Sequence, residues 1–109
     1  MKMIFGVVRP EKIYAVESRL AESGFNAFTR WQVSGRGKQK GICVGDAVYG
    51  EILKNAIIVT VTDDKKDEVI DIIMQASKTG ENGSSGDGKI FVLPITEEYT
   101  VSTQLKDDE

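Results

Sequence analysis

A chain of 109 residues with 40% hydrophobic and 28% charged residues is one globular domain, long enough to close a single core and too short for two. Its formal net charge of −3 argues against a general nucleic-acid binder, whose affinity needs a broad basic surface, and its longest apolar runs, such as 56–61, are too short to span a bilayer. With no histidine and the single cysteine Cys43, it can build no intramolecular disulfide, no typical zinc site and no Cys/His dyad. The first residues, Met-Lys-Met-Ile-Phe-Gly, lack the pattern of a signal peptide, so a cytoplasmic protein is expected.

The first predicted element is a strand over residues 2–9, rich in β-branched and aromatic residues. Pro10 suits the first turn of a following helix, because its missing N–H is no loss there. In that helix Ile13, Val16 and Leu20 recur on one face, and Gly24 ends it. A second strand is expected at about 26–34, through Phe28, Arg30 and Trp31. It runs into a glycine-basic segment, Gly35-Arg-Gly-Lys-Gln-Lys-Gly41, which opens a loop lasting to about Ile52.

Residues 56–62 are almost continuously apolar or β-branched and predict a strand in the middle of a sheet. Asp63 and Asp64 favour a helix N-terminus, Val69, Ile72, Ile73 and Ala76 supply its buried stripe, and Gly80 closes it. After the polar stretch 81–85, a second glycine-basic segment, Gly86-Asp-Gly-Lys89, leads into a strand over 89–95, with Pro94 suited to its end or to an edge. The tail from about 103 to 109 is expected to be flexible.

The order strand, helix, strand, strand, helix, strand predicts an α+β domain of the ferredoxin-like βαββαβ type, an antiparallel sheet with two helices on one face. About half of the sheet side chains then point away from the helices, with no third helix to cover them. Oligomerisation through that face is expected.

Each glycine-basic segment has an ordinary reading taken alone: a solvated loop for the first and a turn into a strand for the second. Together they suit an anion, because glycine allows close backbone approach while free N–H groups and ammoniums supply positive potential. Neither is a Walker loop, since no Gly-Lys-Ser/Thr leads into a helix. The chain also has no nucleophile paired with a base, which argues against an efficient enzyme.

The run Val33-Ser-Gly-Arg-Gly-Lys-Gln-Lys-Gly41, then Lys78-Thr-Gly80 and Gly86-Asp-Gly-Lys-Ile-Phe-Val92, with Arg9-Pro10 near the start, resembles the PII nitrogen-signalling proteins over nearly the whole chain. The resemblance implies a ferredoxin-like trimer that binds ATP or ADP in clefts between subunits, senses 2-oxoglutarate through nucleotide-bound magnesium and reaches targets with a long mobile T-loop, here about 36–52. It implies nucleotide contacts from Val7, Thr29, Gly35, Gly37, Lys38, Lys40, Gly86, Asp87, Gly88 and Lys89. It also implies 2-oxoglutarate contacts from Gln39, Lys40, Gly41 and Lys54, with the Gln39 amide oxygen on magnesium. For Lys54, a solvated lysine at a strand entrance is the competing reading.

Thr100 and Ser102 stand where the family usually has arginines that reach phosphate, and the loop is shorter than in widespread members. With Glu97-Glu98-Tyr99-Thr100, these departures resemble the nitrogen-fixation branch of archaea and anaerobic bacteria. There two PII homologues jointly inhibit nitrogenase until ATP and 2-oxoglutarate relieve them, which implies a homotrimer or a heterohexamer with a second homologue. Cys43, Val44, Asp46 and Tyr49 are the implied partner contacts, and Trp31 is expected in core or trimer packing. The resemblance implies an enzyme regulator, with slow ATP hydrolysis as a side activity at most. A ferredoxin-like RNA-binding module and a small phosphate-ester hydrolase are the alternatives.

Overall fold

The computed structural model describes residues 1–35, 42–44, 47–49 and 52–107. Strand β1 (Lys2–Val8) ends in extended backbone at Arg9, as a residue before proline prefers, and a short 3-10 turn over Pro10–Lys12 leads into α1 (Ile13–Glu22). Ile13, Val16 and Leu20 are buried at the spacing read from the sequence. The helix closes with the Phe25 amide bonding the Leu20 carbonyl at 2.8 Å and the Gly24 amide bonding Ala21 at 3.0 Å, a motif that needs the left-handed φ of 91° at Gly24.

Strand β2 runs from Thr29 to Gly35, three residues later than expected, since residues 26–28 pair with nothing in the sheet. Within the loop, β3 (Ile42–Val44) and β4 (Ala47–Tyr49) form a two-stranded antiparallel ribbon. Strand β5 (Ile52–Val61) begins four residues before the expected start, because pairing with β2 carries it back to Ile52. Asp63–Lys65 form a 3-10 turn before α2 (Lys66–Ser77), and Asp63 accepts the N-terminal amine at 3.0 Å with the Lys2 ammonium 3.3 Å away.

That second helix stops at Ser77, not near Gly80. Lys78 is extended and the Thr79 amide is drawn to the Asp87 carboxylate. Strand β6 (Gly88–Pro94) follows, with Pro94 at the end of an edge strand as expected. Near the C-terminus β7 (Tyr99–Thr100) pairs with β8 (Leu105–Lys106), which falls in the stretch expected as a tail, and Thr100 Oγ1 donates to the Asp107 carboxylate at 2.7 and 2.8 Å.

The four long strands lie in the order β2-β5-β1-β6, all antiparallel, and α1 and α2 pack on one face. This is the ferredoxin-like arrangement. The core between sheet and helices contains Ile4, Val8, Ile13, Val16, Leu20, Ile57, Val59, Val69 and Ile73, each 2% exposed or less. Each such Ile or Leu contributes about 1.5–3 kcal/mol relative to an exposed position.

The opposite face carries the alternate residues. Phe5 there meets Trp31 edge-on at 5.7 Å between ring centroids and Phe91 at 6.2 Å. Trp31 and Phe91 remain 39% and 49% exposed, so an aromatic row lies open on the face without helices.

Gly88 has φ 123°, and a Cβ built on it would lie 1.9 Å from the Val7 carbonyl oxygen. Backbone cannot yield as a flexible side chain can. Gly88→Ala is therefore expected to destabilise the fold by about 2 kcal/mol or more, read as a lowered midpoint in thermal or urea denaturation.

Candidate functional site

The register of β1 builds the site. Val8 stands opposite Asn55 on one side and Gly88 on the other, so one step further along the chain Arg9 stands level with Lys54 and Asp87. Two cations and a carboxylate share one row, Arg9 and Asp87 just past the ends of β1 and β6 and Lys54 within β5, although they are far apart in sequence.

Arg9 donates from Nε to Asp87 Oδ1 at 3.0 Å and from Nη2 to the Ser85 carbonyl at 2.9 Å. Asp87 also accepts from the Thr79 amide at 2.9 Å, the Thr79 hydroxyl at 2.7 Å and the Ser84 amide at 2.7 Å. The Thr79 and Ser84 amides, then the Thr79 hydroxyl and Arg9, hold its carboxyl well below the usual carboxylate range. Lys54 Nζ donates to the Gly86 carbonyl. Partial burial, and next the neighbouring Arg9, lowers its pKa. The loop from 79 to 88 is thus tied at both ends and held on one side by two cations.

Val7 lies at the end of β1 opposite Lys89, and its carbonyl abuts Gly88. Gly86, Asp87, Gly88, Lys89, Lys54 and Val7 are therefore brought together. Thr29 is not among them within one chain: it opens β2 on the far edge of the sheet, three strand spacings or about 14 Å away from β6. Gly35 ends that same edge strand, opposite Ile52. Gly37, Lys38, Gln39, Lys40, Gly41 and Asp46 lie outside the described residues. Cys43, Val44 and Tyr49 fall in the β3–β4 ribbon, opposite Val48, Ala47 and Ile42.

The β7–β8 ribbon bearing Thr100 follows Pro94, which pairs with Lys2 at the end of β1 away from Val8 and Gly88. A groove of about 670 Å³ lies there, lined by Met1, Ile95, Glu97, Thr103, Leu105 and Asp107. Within one chain that ribbon is on the order of 20 Å from the glycine loop.

Arg9, Thr79 and Ser84 carry no role in the sequence reading. Arg9-Pro10 marked the resemblance without showing a partner for Arg9, which reaches Asp87 through the β1–β6 register. The Lys78-Thr-Gly80 and Gly86-Asp-Gly-Lys89 segments marked the loop without showing that one side chain joins them. Chemically, Arg9 and Lys54 at a glycine-rich turn favour an anion with several oxygens. No group of three or more potential metal ligands forms among the described residues, and no described helix is long and apolar enough to cross a membrane.

The family model described as Nitrogen regulatory protein P-II matches residues 1–105. The chain is 50% identical over 104 residues to the nitrogen fixation nifHD region glnB-like protein 1 of Methanococcus maripaludis, covering 95% of this chain and 96% of that one. It is 45% identical over 103 residues to the protein of the same description from Methanothermococcus thermolithotrophicus, covering 94% and 95%. The crystal structure of Arabidopsis thaliana PII bound to citrate superposes with a TM-score of 0.77 at 29% identity, covering 98% of this chain and 85% of that one. With a ferredoxin-like fold and a family match that spans both glycine-basic segments, the chain belongs to the nitrogen regulatory P-II family, signalling proteins rather than enzymes.

Proposed function

We propose that this protein is a P-II regulator of nitrogen fixation. It binds ATP or ADP, takes 2-oxoglutarate with magnesium as an effector, and acts on a target enzyme, nitrogenase, through the loop 36–52. The observation that carries the ligand half is the row Lys54, Arg9 and Asp87 at the mouth of the Gly86–Gly88 turn. Relatives named for the nifHD region support the target half.

A polyphosphate fits the residues present. Gly88 lets the turn lie against the Val7 carbonyl, Arg9 and Lys54 turn the Ser85 and Gly86 carbonyls toward themselves, and Lys89 adds a further cation next to the turn. In this reading Gly35, Gly37, Lys38 and Lys40 approach the phosphates, and Val7 and Thr29 flank the base or ribose. Bound magnesium would supply a hard cation shared by phosphate and oxoacid oxygens, with Gln39 as its protein ligand. Lys40, Gly41 and Lys54 would hold the oxoacid.

Thr29 and the C-terminal ribbon lie away from the glycine loop within one chain, which supports a site completed by a second subunit. The uncovered aromatic face supports trimer formation, either of one chain or together with a homologue. Cys43, Val44, Asp46 and Tyr49 would meet the target, and the ligands would act by preferring one loop arrangement over another. The nucleotide-responsive reading places the protein in the cytoplasm.

Calorimetry with ATP and ADP, each with and without magnesium and 2-oxoglutarate, tests the ligand half. In the presence of Mg-ATP, Lys54→Met is expected to weaken 2-oxoglutarate about tenfold or more, the effect of one charge-assisted bond, and Gln39→Ala to abolish magnesium-dependent 2-oxoglutarate binding. Trp31→Glu, read by sedimentation, is expected to shift the assembly toward the 12.0 kDa chain. Co-elution with nitrogenase is expected without effectors and should disappear with ATP and 2-oxoglutarate.

A further inference from the structure

Asp87 is an anion in a place proposed to receive phosphate, and its charge opposes such a ligand. An ionised carboxylate offers about four lone-pair sites and no proton to donate. All four are in use: Oδ1 accepts from Arg9 Nε and the Thr79 hydroxyl, and Oδ2 accepts from the Thr79 and Ser84 amides. No lone pair is left to coordinate magnesium or to accept from a ribose hydroxyl.

We propose that Asp87 is a positioning residue: its carboxylate shapes the 79–88 loop for an anionic ligand without touching that ligand. The proposal rests on the nucleotide reading of this site and replaces direct contact by Asp87 with an indirect role. One carboxylate ties the start of the loop at Thr79 to its middle at Ser84 and orients Arg9, whose other nitrogen holds the Ser85 carbonyl. A trans peptide carries its N–H opposite its C=O, so holding the Ser85 carbonyl also sets the direction of the Gly86 amide. Asp87 also offsets one of two neighbouring cations, which would otherwise repel each other across the row.

The sign of one substitution separates the two roles. Asp87→Asn removes a negative charge at nearly constant shape, so a mere neighbour of phosphate would bind nucleotide more tightly once neutralised. A positioning residue gives the opposite result. Calorimetry of the intact assembly with ATP and ADP is expected to show affinity reduced about tenfold or more, equally with and without magnesium. Hydrogen exchange in the absence of nucleotide is expected to be faster at the Thr79 and Ser84 amides.

Thr79→Val is expected to act in the same direction by a smaller factor, with the double variant no worse than Asp87→Asn alone, because both remove parts of one network. Tighter binding, a loss seen only with magnesium, or unchanged exchange at Thr79 and Ser84 would each overturn the proposal. If the unsubstituted protein binds no nucleotide, the functional reading fails, while the exchange measurement still decides whether Asp87 shapes the loop.

Discussion

The antiparallel register of β1 between β5 and β6 is the constraint on which the rest of the molecule depends. Seven consecutive residue pairs on each side place Ile4, Gly6 and Val8 toward the helices and Met3, Phe5 and Val7 toward the open face. A slip of one residue would exchange these sets, exposing the core and burying the row of Phe5, Trp31 and Phe91. The same register brings Arg9, Lys54 and Asp87 level at the end of the sheet, so core packing and site assembly come from one set of pairings.

At that end of the sheet, charge and backbone geometry are joined. Arg9 and Lys54 each hold a carbonyl of the glycine turn, and Asp87 gathers two amides, a hydroxyl and a guanidinium. The low pKa of Asp87 follows from those donors, and the lowered pKa of Lys54 from desolvation beside Arg9. For the anionic ligand proposed above, a loop tied in this way would lower the cost of ordering on binding, which is the physical advantage of preorganisation. Gly88 completes the arrangement by letting the turn lie against the Val7 carbonyl.

Two parts of the chain bear on the proposed assembly. Among the described residues nothing covers the aromatic face, and the C-terminal ribbon extends from the end of the sheet away from the glycine loop, with Val101 and Leu105 exposed. Both fit the proposed trimer, in which neighbouring subunits would cover the face and complete the cleft.

Much of this was legible from local pattern. Helical spacing marked Ile13, Val16 and Leu20, the apolar run at 56–61 marked a central strand, and glycine with lysine marked the two loops and the family. Helix and strand periods are properties of neighbouring residues, so the sequence by itself determined the βαββαβ order, the core faces and the separation of basic from apolar segments. Only the tertiary structure decided that Arg9 meets Asp87, that Thr79 ends α2 by turning to the same carboxylate, and that Thr29 lies on the opposite edge. Those relations arise from pairing residues tens of positions apart, and a register has no signature in any one segment; it exists only once two strands have met.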